Sequence, residues 1–327
     1  MTQTENVNTK MMRMTIPELT IYIPTFNRLS KLKNCLNAIK SDIVGYESKV
    51  TVYVSNNAST DGTKEYLDSL DWIKVRHNET NLGYAGNVIH GYNLPFKSKF
   101  VWIIGDDDYL ISGSISELLN LTKLDVDYIF CNTTAFNPNQ EQSIWENFPK
   151  IPVGSVKGKY SGTFECKFPD LIHPKVADTL LGELMVNCFR QDAVRWDSPI
   201  ENDKTDGRIR QAHNVPLINS FTKETKAVYS HTPRTFNFWG TAEWLNDYDY
   251  VFPIIILWLI NEYKKFVTED KYFALLDFYF QLMGGSIKRQ IDNSTTAIPF
   301  NDNFKEVLNS TIKEFINYQS RANKPEN

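Results

Sequence analysis

Three apolar runs, Leu19–Ile23, Val50–Val54 and Phe100–Ile104, each end in a polar loop that leads toward a helical stretch. After the first, Leu32, Cys35, Leu36 and Ile39 fall at i, i+3, i+4 and i+7, the spacing of a helix with one apolar face. After the second, the loop Asn56–Gly62 leads into a helix that runs to Leu70, and Ile73–Arg76 reads as a short strand. A Gly-rich loop, Asn81–Asn87, introduces a further short helix, while Ser114–Leu121 reads as a helix and Asp127–Cys131 as a strand. Alternation of this kind restricts the chain to the α/β class, with a mainly parallel sheet flanked by helices. From residue 132 the pattern changes to loops and short hairpins. A helix is expected over Leu171–Leu181 and strands over Leu184–Phe189 and Lys226–Tyr229. An aromatic-rich helical extension runs from Tyr248 to about Arg289, and Phe304, Val307, Leu308, Ile312, Phe315 and Ile316 mark an amphipathic last helix.

Composition removes several function classes. A formal charge of −4 leaves no electrostatic footprint for nucleic acid. The four cysteines, Cys35, Cys131, Cys166 and Cys188, show no C-x-x-C spacing, so zinc and a disulfide framework are not expected and a reducing cytoplasm fits. Residues 1–17 are polar without an apolar signal core, which reads as a flexible tail. The longest apolar run, Tyr250–Ile260, contains Pro253 and is too short to span a bilayer.

Parallel strands place their following loops at one edge of the sheet, so Pro24–Arg28, Ser55–Gly62 and the loop after Ile104 line one crevice. Turn chemistry accounts for Asn, Ser and Gly there. It does not account for Asp106, Asp107 and Asp108 in a row, since like charges side by side are costly without a cation among them. A hard divalent ion held by one or two carboxylates and by substrate phosphates resolves that cost.

The segments Ile21–Arg28, Val54–Thr63, Asn81-Leu82-Gly83 with Gly86-Asn87, and Gly105–Asp108 together resemble the family 2 glycosyltransferases, in the right order and spacing over residues 18–122. Further on, Leu184–Trp196 followed by Ala212–Pro216 is similar to the bacterial abequosyltransferase-like branch, which decorates lipopolysaccharide. The resemblance implies a GT-A fold. Its divisions are a tail at 1–17, a domain at 18–240 with a nucleotide-sugar half (18–131) and an acceptor half (132–240), and a helical extension at 241–327. It also implies transfer of a sugar from a nucleoside diphosphate (UDP, CDP or another) to a glycan or lipid-linked saccharide, assisted by Mn²⁺ or Mg²⁺. The expected setting is the cytoplasm, at the inner face of the plasma membrane.

Carried onto this chain, the family's D-x-D motif falls on Asp106 and Asp108. Asp108 is then the direct metal ligand and Asp106 serves the donor ribose or a metal-bound water, while the pair Asp107–Asp108 is an alternative register. Pro24, Thr25 and Asn27 belong to the first nucleotide-binding loop, and Asn81 and Asn87 match positions near the base and phosphates. Asn56 stands where relatives carry an Asp. Its amide can accept or donate, which admits uracil or cytosine, or it stabilises its own turn. Asn87 also suits a helix cap. For the acceptor base of an inverting transfer, the resemblance points to His213, with Asp206 and Asp203 as substitutes.

Among the aromatic residues, the cluster Thr235–Gly240 reads as a loop whose Phe238 and Trp239 would stack on acceptor sugars. The helices after Tyr248 offer a homodimer interface or a surface resting on a membrane. A non-catalytic nucleotide-sugar-binding protein and a sugar nucleotidyltransferase are the alternative functions. The second lacks the basic Gly-rich phosphate loop it would need near the N-terminus.

Overall fold

A computed structural model describes residues 16–136, 155–196, 211–238, 248–292 and 302–322. Leu19–Thr25 (β1), Val50–Asn56 (β2), Lys74–His77 (β3) and Phe100–Ile103 (β4) lie parallel in the order β3-β2-β1-β4. The chain builds outward from β1 on one side, then returns to place β4 on the other. Sheets of this kind bind ligands at such a reversal, beyond the strands' C-terminal ends. Leu19, Ile21, Tyr22 and Ile23 of β1 are wholly buried, as befits a strand covered on both faces. The covering helices are Leu29–Asp42 (α1), Thr63–Asp68 (α2), Gly83–Ile89 (α3) and Ser114–Leu121 (α4). In α1 the four residues picked out by their spacing are all buried.

The other half of the sheet is mixed. It comprises Tyr109–Leu110 (β5), Tyr128–Phe136 (β6), Ser155–Val156 (β7), Phe164–Lys167 (β8), Asn187–Arg190 (β9) and Lys226–Phe238 (β10). The main order is β3-β2-β1-β4-β9-β6-β10-β5, with β7 on β6 and β8 on β10. β9 runs antiparallel between β4 and β6, so the residues leading into β9 lie beside the end of β4. The indole N–H of Trp102 in β4 donates to the Met185 carbonyl at 2.7 Å and fixes that junction.

β10 departs from expectation. Residues 235–238, read as a loop from sequence, continue the strand parallel to β6 after a register shift between Ser230 and Thr235, next to Pro233. A proline cannot donate to the ladder and is accommodated at such an irregularity. Phe236 is therefore a core residue against Tyr109 and Phe136, with ring centroids at 5.2 and 5.9 Å. The backbone of Phe238 pairs with Phe136, whereas Trp239, Asp203 and Asp206 lie outside the described residues.

Phe168–Leu171 (α5), Pro174–Gly182 (α6) and Val215–Ser220 (α7) precede the final helices Tyr248–Tyr263 (α8), Glu269–Asp292 (α9) and Asp302–Ala322 (α10). Phe168 joins the extension to the sheet. Its ring meets Tyr128 and Phe221 on one side and Tyr263 and Phe266 on the other, with centroids between 4.9 and 6.1 Å. Ile255–Ile260 are buried, so much of the aromatic and aliphatic content of α8 serves packing. Stacked pairs Phe273–Tyr318 and Phe280–Phe315 hold α9 to α10. Among the described residues no helix is long and apolar enough to cross a membrane.

Candidate active site

Register alone brings the first and last motifs together. Tyr22 of β1 pairs with Ile103 of β4, so Thr25 emerges beside Asp106, and its hydroxyl donates to that carboxylate at 2.6 Å. Asp106 and Asp108 are each 3 % exposed, while Asp107 is partly exposed. The Gly105 N–H donates to Asp108 Oδ2 at 2.6 Å, turning that carboxylate back over the end of the strand. A Cβ on Gly105 would lie 2.9 Å from Asp108 Oδ2 and 3.0 Å from Asp107 Oδ1, so only glycine leaves the triplet this close to the backbone.

The positive charge beside the triplet is Arg28. Its guanidinium is 3.0 Å from Asp106 Oδ1 and pairs with Asp107 as well. Arg28 is aimed by its neighbour Asn27, which adopts a left-handed backbone (φ 52°), a conformation Asn tolerates better than most residues. The Asn27 side chain accepts the Thr60 N–H at 2.8 Å, and its own N–H donates to Ser59 Oγ at 2.9 Å. Asp61 accepts the Leu29 N–H at the start of α1. The first two loops are thus clasped together.

One arginine does not neutralise three carboxylates. Burial pushes the Asp106 carboxyl up to about 7 against the pull of Arg28. Burial, followed by the charge of Asp107, raises Asp108 well above the usual carboxylate range. A group that must give up its charge when buried is one for which a cation is wanting.

The asparagines of the nucleotide side are bonded chiefly to one another. Asn56 accepts the Ser59 N–H at 3.1 Å, and its amide nitrogen lies 3.1 Å from His77 Nδ1, so both ends of the amide are engaged in the wall of the crevice. Asn57 donates to Asn81 at 2.8 Å and accepts from Asn78 and from the Leu82 N–H. Asn87 accepts from Ser55 Oγ at 2.6 Å and donates to the Ser55 carbonyl at 3.0 Å. It lies inside α3, which begins at Gly83, and so does not cap that helix. Asn57, Asn78, Asn81 and Asn87, with Ser55, thereby tie the second and third loops together.

From the second half of the chain, His213 is 3 % exposed, just ahead of α7. Its Nδ1 is 3.0 Å from the Tyr84 hydroxyl, its carbonyl accepts from Tyr92 at 2.6 Å, and its Nε2 is buried without a hydrogen-bond partner among the described residues. Burial lowers its pKa to about 4, so the ring is neutral at ordinary pH. Glu183, between α6 and β9, is near enough for its charge to act on Asp108 and lies 4.0 Å from Lys157.

The structure brings Thr25, Asp106, Asp107 and Asp108 into one cluster, ties Asn27 to Ser59 and Thr60 of the second loop, and sets Pro24, Asn56, Asn81 and Asn87 in the neighbouring strand ends and loops. Sequence reasoning assigned no role to Arg28, Tyr84 or Glu183. Charge balance at the triplet was a signal for Arg28. The contact between Tyr84 and His213 spans 129 residues and leaves no local trace.

Comparison with known proteins agrees with this geometry. Residues 20–180 match the family model Glycosyl transferase family 2. Abequosyltransferase RfbV of Salmonella typhimurium is 32% identical over 117 residues, which is 34% of this chain and 34% of that protein. The GalNAc(5)-diNAcBac-PP-undecaprenol beta-1,3-glucosyltransferase of Campylobacter jejuni is 30% identical over 122 residues, 36% of this chain and 38% of that protein. The matched stretch thus spans little more than a third of either curated relative. Among solved structures, S. aureus TarS 1-349 is similar with a TM-score of 0.56 at 12% identity, covering 91% of this chain and 80% of that one. Its complex with UDP-GlcNAc gives 0.55 at 12% identity over the same shares. At that identity the likeness speaks for the fold, while residues 20–180, just under half of the chain, are similar in sequence to glycosyl transferase family 2.

Proposed function

We propose that this protein transfers a sugar from a nucleoside diphosphate to a glycan or lipid-linked acceptor during assembly of a bacterial surface glycan, with Mn²⁺ or Mg²⁺ at the acidic triplet. The observation that carries the reading is the burial of Asp106 and Asp108 at the end of β4, in the crevice where β1, β2 and β4 open. The kinds of relative support the acceptor class, one named an abequosyltransferase and the other acting on an undecaprenol-linked glycan. TarS, bound to UDP-GlcNAc on a similar fold, supports the donor class.

The donor set fits a hard divalent ion. It consists of carboxylate oxygens, two of them buried with their charge incompletely balanced. Among the described residues no three His, Cys, Asp or Glu side chains form a metal site by themselves, so substrate phosphates would complete the coordination. With Arg28 engaged at Asp106 and Asp107, Asp108 is the carboxylate assigned to the metal. When bound, the ion offsets the charge growing on the departing diphosphate. Thr25 and Arg28 fix Asp106, Gly105 turns Asp108 into place, and Pro24, Thr25 and the Asn56 turn form the surface for the base.

Thermal denaturation with UDP, CDP, GDP or dTDP, each with and without Mn²⁺, tests the reading. One diphosphate is expected to raise the melting temperature in a Mn²⁺-dependent way, and Asp108→Ala to abolish the effect. Failure of all four diphosphates, or full retention of the shift in Asp108→Ala, would sink it.

A further inference from the structure

The residue at the junction of the two halves is Tyr84. It follows Gly83 at the start of α3, its ring is 45 % exposed, and its hydroxyl reaches His213 on the far side of the crevice at 3.0 Å. The charge of Asp108 acts on that hydroxyl, so Tyr84 lies within electrostatic reach of the triplet. His213 is held from behind by Tyr92, which donates to its carbonyl.

The position of the imidazole proton decides what this pair can do. A neutral His carries a single N–H. On Nε2 it would be a buried donor with no acceptor among the described residues, a rare and costly condition. On Nδ1 it donates to the Tyr84 oxygen, and Nε2 is left as a buried lone pair without a partner among the described residues. That tautomer turns the Tyr84 O–H away from His213 and makes it a donor directed into the crevice. An ordinary phenol ionises near pH 10, so the Tyr84 hydroxyl keeps its proton and remains a donor at neutral pH.

We propose that Tyr84 binds the distal phosphate of the nucleoside diphosphate through its hydroxyl, and that His213 is a positioning residue whose Nδ1–H holds that hydroxyl in place. The proposal rests on the transferase reading and adds a diphosphate contact to it. It gives His213 an orienting task in place of the proton-accepting one suggested by its sequence position.

Binding to the full chain with Mn²⁺ tests it, using whichever of UDP, CDP, GDP and dTDP stabilises the wild type, together with the corresponding monophosphate. Tyr84→Phe is expected to weaken the diphosphate by about ten- to a hundredfold, the range for a hydrogen bond to a charged group, and to leave the monophosphate little changed. His213→Leu should reproduce that loss, while His213→Asn, whose amide N–H replaces Nδ1–H, should restore most of the affinity. Equal affinity of Tyr84→Phe and wild type for the diphosphate overturns the proposal, as does an equal loss for both nucleotides. Should His213→Leu fail to fold, the Tyr84→Phe comparison decides alone. If no diphosphate binds the wild type, the transferase reading falls and this contact with it.

Discussion

The two walls of the crevice handle buried polarity in opposite ways. On the acidic wall, buried Asp106 and Asp108 are packed with a third, partly exposed carboxylate against one guanidinium, which does not balance their charge. On the facing wall His213 is equally buried but neutral, and among the described residues its ring hydrogen-bonds with Tyr84 alone. In the proposed reading the acidic wall receives a cation and its anionic ligand. The other supplies a fixed neutral dipole, which costs little to desolvate and keeps its geometry through a reaction.

The contrast can be broken by substitution. In activity, Asp108→Ala should have the largest effect: release of nucleotide from UDP-glucose or UDP-N-acetylglucosamine, whichever the wild type cleaves, should fall by about a hundred- to a thousandfold. Loss within a factor of a few would mean that the acidic wall is not an anchor.

The pH dependence of stability separates the walls by sign. Burial holds His213 below its unfolded value of 6.5, at about 4. Between those values the unfolded chain binds the extra proton, so stability from this group is present above pH 6.5 and declines as pH falls toward 4. The loss amounts to about 3 kcal/mol. Asp106 works the other way. Its carboxyl is raised from 3.8 to about 7, so its contribution is greatest below pH 4 and declines as pH rises toward 7. Urea titrations across pH 4–8 should therefore show His213→Asn losing less stability than wild type on acidification, and Asp106→Asn losing less on approach to neutrality. Parallel curves for the three proteins would contradict the assignment of opposite signs.

Two smaller changes sharpen the picture of the acidic wall. Gly105→Ala leaves every charge in place but drives a methyl group against Asp107 and Asp108, and should weaken Mn²⁺-dependent nucleotide binding about tenfold without unfolding the protein. Asn27→Gly keeps the left-handed backbone while removing the bond to Thr60, and should cost about 1 kcal/mol in denaturant titration. A loss several times larger would mean that Asn27 does more than clasp two loops.

The two walls also differed in how far the sequence exposed them. The nucleotide wall arises from local patterns: strands ending in polar loops, a helix with Leu32, Cys35, Leu36 and Ile39 on one face, and three aspartates after Ile104. Parallel register then carries Thr25 to Asp106 without further information. The facing wall depends on contacts that no local pattern records. β9 slots antiparallel beside β4 and brings Glu183 near the triplet, and Tyr84 finds His213 from the other half of the domain. Residues 235–238, a loop by local pattern, are held as a strand by long-range pairing with β6, which no local pattern records. Asn56 and Asn87, candidates for ligand contact in sequence, also bond within the loops that carry them.

The central claim is that the aspartates at the end of β4 hold a divalent cation and a diphosphate together. Calorimetric titration of the stabilising nucleoside diphosphate into wild type and Asp108→Asn, with and without Mn²⁺, addresses it most directly. The account predicts tight binding to the wild type only with Mn²⁺, and a loss of about a hundredfold or more in Asp108→Asn, whose melting temperature without ligand should rise because a buried charge has been removed. Undiminished Mn²⁺-dependent binding by Asp108→Asn would contradict it.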